Sequence, residues 1–254
     1  MQGWTHSTTL AAAAAAAVLL ITFVVTERRT RNPLIPTRLL RNRSLALANL
    51  AVLTGYGSFF AFIFLTNLLM QQQMGYSPTK TGLSWLVLTA TAFVVAGLTG
   101  AVLADKFGAS RLVALASLLM LACSLWMTTL PAHPSFATTL LPIFVIAGVA
   151  IGFFAPASQI AALADTTPAD FGVPSGLVET SREFGGSLVI AAASTALLSS
   201  PAPFLSGLHT AYLAVAISAA LGVVVTTLNR IPTRKSPQGA ESLSIPALLD
   251  RAAD

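Results

Sequence analysis

The chain has 254 residues, of which 55% are hydrophobic and only 9% charged; its net charge is +5 and its mean hydropathy +0.77. A soluble domain carries roughly 25% charged residues, so a water-solvated globule is excluded and lipid is the main solvent. An excess of basic residues can mark a nucleic-acid binder, but here these residues fall between apolar runs, where they orient a membrane protein; the partner is the bilayer, not nucleic acid.

Helices and closed barrels satisfy every backbone group in a bilayer. Barrel strands read as alternating segments of about ten residues, whereas the apolar runs here are long and unbroken. The predicted fold is therefore all-α and polytopic. Seven segments are apolar enough to span: Thr8 to Thr26, Leu45 to Met70, Gly82 to Ala104, Arg111 to Leu130, Leu140 to Ala164, Ser175 to Leu198 and His209 to Leu228. Ser77-Pro78 reads as an N-cap followed by proline at the first helical position, and Thr167-Pro168 gives the same signal. Pro131 with Pro134, and Pro201 with Pro203, mark short loops, while Pro142 and Pro156 fall inside the fifth span.

Residues 1–44 are expected to form an accessory span and a basic cytoplasmic loop, 45–229 a six-helix bundle, and 230–254 a disordered cytoplasmic tail. A weak amphipathic stretch, Leu243 to Leu249, is the alternative reading of that tail. No Lys or Arg precedes Arg28, so the first span lacks the basic flank of a cleaved signal. With the N-terminus outside, thirteen of the fourteen Lys and Arg residues lie on one side and only Lys80 opposite. The positive-inside rule then places the C-terminus in the cytoplasm and the chain in the cell (inner) membrane.

Cys123 lies in an apolar run and reads as a buried helix residue. His6, His133 and His209 are too far apart in sequence for ligand spacing, so no metal and no cofactor is expected. There is no H-E-x-x-H helix and no buried nucleophile with a base, which argues against an intramembrane enzyme; no catalytic residue is assigned. The informative cluster is Glu179, Arg182 and Glu183, whose i, i+3, i+4 spacing puts all three near one helix face. It reads as a structural or gating charge group, with direct substrate or proton contact as the alternative. In the structural reading, loss of Arg182 is expected to cost most and loss of Glu179 least. Asn49, Tyr56, Phe59, Asn67, Trp85 and Gln159 are candidates for cavity lining or interfacial anchoring. Gly148 and Gly152 form a small-xxx-small pair for helix packing.

Several stretches resemble the fourteen-spanner drug:proton antiporters of the major facilitator superfamily, the EmrB/QacA-like exporters. Gly3-Trp4-Thr5, Glu27-Arg28-Arg29-Thr30 and Asn32-Pro33-Leu34 resemble the eighth span of that family and its basic loop; Arg41-Asn42-Arg43-Ser44 then leads into what resembles the ninth. Gly75-Tyr76-Ser77-Pro78 with Gly82-Leu83 resembles the external turn before the tenth, and Gly176-Leu177 with Thr180 to Ser187 the thirteenth. Asp105-Lys106-Phe107-Gly108, with Arg111, resembles a degenerate copy of the superfamily's cytoplasmic loop signature: Ala101 replaces the leading glycine and Ala109-Ser110 replace two basic residues. The resemblance implies the C-terminal half of a transporter, a missing N-terminal half as partner, and a small hydrophobic or cationic substrate exchanged for protons. It also implies that Asp105 caps a helix N-terminus of the missing half, the alternative being a solvated loop acid. No acid lies at a span midplane, so a coupling acid is expected in the other half. The rival reading is a non-transporting fragment or membrane scaffold.

Overall fold

A computed structural model describes residues 7–30, 43–163, 172–199 and 203–228. All regular structure among them is helical, and five helices are long and apolar enough to cross a membrane. The protein is an all-α polytopic membrane protein. The chain divides into two compact units, Met1–Ala46 and Leu47–Asp254. The tail, the Leu243 to Leu249 stretch, Thr167-Pro168 and most of the basic loop after the first span lie outside the described residues.

In the first unit, helix α1 (Ser7–Arg29) leaves side chains such as Leu19 and Ile21 exposed. Its apolar part, Leu10–Thr26, is shorter than the five full-length spans.

The second unit is a helix bundle. Helix α2 runs Arg43–Leu68 and continues through a π turn, Leu69–Gln73. Helix α3 runs Pro78–Leu98, passes through a second π turn, Thr99–Leu103, and ends at Ala104–Phe107. Then come α4 (Ala109–Met127), a π turn Phe136–Leu140 leading into α5 (Leu141–Leu163), α6 (Gly172–Ser199) and α7 (Phe204–Leu228). Most helices run a few residues beyond the apolar segments that announce them, because backbone hydrogen bonding continues into the polar interface. Helix α6 is long enough to span, but Glu179, Arg182 and Glu183 keep it out of the five most apolar helices.

The ends are set by local chemistry. Ser77 caps α3 by accepting a hydrogen bond from the Lys80 amide, with Pro78 at the first helical position, as the sequence predicts. The turn between α3 and α4 is made by Gly108, whose φ of 86° is one that side chains rarely adopt. At one end of the bundle Gln73 donates to the carbonyl of Ala132, tying the α2–α3 turn to the α4–α5 loop. At the other end Ala48, Ser110, Ala161 and Thr226 gather around a small cavity of about 20 Å³.

Two buried clusters form the core. One holds Phe62, Leu65, Met127, Phe144 and Tyr212; the other holds Val52, Tyr56, Val113, Phe154 and Val178. Several buried hydroxyls bond to a carbonyl of their own helix: Ser58 to Thr54, Thr66 to Phe62, Ser117 to Val113, Ser124 to Met120; the buried Thr81 hydroxyl is an exception. Two bonds cross between α2 and α7: the Ser218 hydroxyl donates to the Thr54 carbonyl at 3.1 Å, and the Thr66 and Tyr212 hydroxyls pair at 2.9 Å.

Candidate functional site

Helix α2 carries a stripe at alternating spacings of four and three: Asn49, Leu53, Tyr56, Phe60, Ile63 and Asn67. On a helix this spacing keeps one face. Tyr56 is buried and the other five are half-buried, with polar residues at both ends and an apolar middle. From Tyr56 to Asn67 the stripe runs about 16 Å along the axis.

Helix α6 closes against one side of α2. Contact is possible because glycines face the crossing: a methyl group on Gly57 would stand 2.8 Å from the carbonyl oxygen of Gly185, and Phe60 packs where a side chain on Gly186 would be. The Ser181 hydroxyl donates to Asn49 Oδ1 at 2.9 Å, fixing the register. On the other side, Phe154 of α5 meets Tyr56 edge-on with centroids 5.2 Å apart and fills the space beside Gly55. Helix α5 in turn lies on α3: methyl groups on Gly148 and Gly152 would come within 2.7 Å of the Leu88 carbonyl oxygen and Val95 Cβ.

At one end of the stripe stands the charged cluster. Arg182 is ion-paired with both Glu179 and Glu183; Nη2 and Nε lie 3.1 and 3.2 Å from Glu183 Oε1. The guanidinium sits 5.5 Å from the centroid of the Tyr56 ring, within cation–π reach. Side-chain exposure is 33% for Arg182, 50% for Glu179 and 62% for Glu183. The three side chains are therefore partly exposed on the surface of the bundle and not sealed between its helices. Two carboxylates against one guanidinium leave it one formal negative charge in excess.

The other end is neutral. Trp85 Nε1 donates to Asn67 Oδ1 at 2.8 Å, and the indole stacks on Phe144 at 4.6 Å with an 11° tilt. Of the predicted lining residues, the structure thus brings Asn49, Tyr56, Asn67 and Trp85 to one stripe. Phe59 instead lines a small internal cavity with Ser58, Met120 and Phe154, and Gln159 is half-buried on α5. The sequence reading assigned no role to Phe60, Phe154 or Ser181; the 4-3 spacing of the stripe is the signal that picks out Phe60. Asp105, Lys106 and Arg111 are exposed around Gly108, with the Lys106 ammonium 5.5 Å from the Phe107 ring centroid. Among the described residues no three His, Cys, Asp or Glu side chains come together to hold a metal. Cys123 is buried, with its thiol 3.8 Å from the Ile143 carbonyl oxygen.

Comparison with known proteins adds to this geometry. The family model described as Major Facilitator Superfamily matches residues 2–188 and 47–251. The chain is 33% identical over 188 residues to multidrug resistance protein Stp of Mycobacterium tuberculosis, covering 73% of this chain and 34% of that protein. It is 30% identical over 218 residues to puromycin resistance protein pur8 of Streptomyces alboniger, covering 81% and 43%. It is 28% identical over 248 residues to cephamycin export protein CmcT of Amycolatopsis lactamdurans, covering 95% and 51%. The chain thus spans between a third and half of the length of these relatives.

Proposed function

Since the chain belongs to the major facilitator superfamily, we propose that it forms one helix bundle of a two-bundle exporter of small hydrophobic or cationic compounds. Within the superfamily we place it in the EmrB/QacA-like branch, as the C-terminal half. The α2 stripe is then a substrate-facing wall. The observation that carries this reading is the stripe itself: a half-buried apolar face flanked by polar groups at both ends is what a drug cavity needs on one side. The limited coverage of relatives named for resistance or export is consistent with one bundle of such a pump. Family and relatives alike speak for a transporter and against an enzyme.

Transporters of this kind bind substrate between two bundles and rock them about the site. No Asp or Glu stands mid-span in α2, α3, α4, α5 or α7, and the two acids of α6, Glu179 and Glu183, are ion-paired with Arg182, so we place the proton-coupling acid on the other bundle. The N-terminus is taken as extracytoplasmic, the C-terminus as cytoplasmic. Asp105, exposed where α3 ends, is positioned for a helix N-terminus of the other bundle.

The test is a chimera in which a relative supplies the first bundle and this chain the second. It should export a lipophilic cationic dye in an energy-dependent way, and cells making this chain alone should not. A chimera that reaches the membrane at normal levels yet exports nothing favours a scaffold role.

A further inference from the structure

We propose that Arg182 is a resident cation seated in a receptor for organic cations, built from the Tyr56 ring face and the carboxylates of Glu179 and Glu183, and that a substrate cation enters by displacing it. This rests on the reading of the α2 stripe as a substrate-facing wall.

The first ground is charge. One guanidinium is shared by two carboxylates, so the group keeps an excess negative charge with its own cation in place. A second cation is attracted and an anion repelled. The second ground is the ring. Tyr56 is buried, and its side towards α6 already carries a cation, which shows that the position accepts one. Aromatic faces bind guanidinium and ammonium groups by the same quadrupole attraction.

The third ground is the contrast between floor and plug. The floor is fixed: Tyr56 is wedged against Phe154, Gly57 and Gly185 bring α2 and α6 into backbone contact, and Ser181 is bonded to Asn49. The plug is a long side chain, one-third exposed, tethered to acids that are themselves half-exposed or more. Swinging Arg182 outward breaks exposed ion pairs, which are weak, and uncovers the ring without moving a helix. The fourth ground is what lies next along the wall. Phe60 and Ile63 extend an apolar surface from the ring towards Asn67, so the ligand class is an organic cation with an apolar body.

The test uses the 254-residue chain in nanodiscs of zwitterionic lipid and three probes of similar size: tetraphenylphosphonium, tetraphenylborate and neutral tetraphenylmethane. Tetraphenylphosphonium should bind in preference to tetraphenylborate. Glu179→Gln and Glu183→Gln should each weaken it by roughly 3- to 10-fold, the range of a single cation contact. Arg182→Ala should tighten it by a similar factor, because the competitor is gone, while Arg182→Lys should leave it close to the parent value. A purely structural Arg182 predicts the opposite sign. Size-exclusion profiles of each variant check folding, and the two Glu→Gln variants stand as tests even if Arg182→Ala does not fold. Arg182→Ala that weakens or leaves unchanged the binding of tetraphenylphosphonium overturns the proposal. So does preferential binding of tetraphenylborate that Arg182→Ala abolishes, which would make Arg182 an anion receptor. If the neutral and cationic probes bind equally and no variant matters, this inference falls and the substrate-wall reading stands. If none of the three binds, this inference falls, and the substrate-wall reading is decided by the two-bundle chimera.

Discussion

Gly57 of α2 lies against Gly185 of α6 with no room for a side chain between them; a methyl on Gly57 would stand 2.8 Å from the Gly185 carbonyl oxygen and 2.6 Å from Val189 Cγ2. This crossing holds Arg182 over Tyr56. It places two residues that are 126 positions apart in the chain on one site.

Replacing Gly57 by alanine therefore overpacks the crossing. The expected cost is about 1–3 kcal/mol, read as a lowered unfolding temperature in detergent micelles. Gly82→Ala is the control: nothing lies within 4 Å of a methyl group there, and in a helix it should be neutral or slightly stabilising. Equal losses for the two variants would contradict close packing at the α2–α6 crossing.

The Thr66–Tyr212 bond should show an asymmetry. Tyr212→Phe removes one hydroxyl and leaves Thr66 still donating to the Phe62 carbonyl, so the loss should be about 0.5–1.5 kcal/mol. Thr66→Val strands the fully buried Tyr212 hydroxyl and should cost more, about 1–3 kcal/mol. Chemical denaturation of both variants measures the order, and the reverse order would count against the pairing.

Orientation is testable by labelling. In a Cys123→Ser background, single cysteines at the exposed positions Ser77 and Ser206 should react with an impermeant maleimide in intact cells, and one at Ser236 should not. Reaction at Ser236 would invert the proposed topology.

Asp105 and Gly108 should fail in different ways. In the two-bundle chimera, Asp105→Asn should cut export while protein level holds, because its proposed partner lies across the bundle interface. Gly108→Ala should lower protein level instead, since its φ of 86° costs a side chain about 1–3 kcal/mol. Export unchanged by Asp105→Asn would favour a solvated loop acid.

Removal of Arg182 should be milder than the sequence leads one to expect. A guanidinium lost from a dry site leaves two carboxylates uncompensated, but here all three side chains are partly exposed on the bundle surface, and exposed pairs contribute little, about 1 kcal/mol or less. Membrane abundance of Arg182→Ala should stay near the parent level, with Glu179→Gln milder still. A collapse of Arg182→Ala abundance would show that the cluster is buried when the protein is in the membrane.

Composition alone determined that this is a membrane protein, because a 9% charge content cannot wet a soluble surface of this size, and the long unbroken apolar runs determined that it is helical. Local sequence determined the helix positions and the Ser77-Pro78 start, since capping and apolar run length act within a few residues. It also placed Glu179, Arg182 and Glu183 on one face, because helical spacing is local. Only the tertiary structure decided that Tyr56 lies under Arg182, that Ser181 bonds to Asn49 and that Trp85 reaches Asn67. Those pairings depend on which helices touch and in what register. Here backbone approach at Gly57, Gly148, Gly152 and Gly185 sets that register. Periodicity shows that a glycine is present, but not which backbone it meets. It likewise could not show that the charged cluster is partly exposed on the bundle surface, because exposure belongs to the packed bundle and not to any one helix.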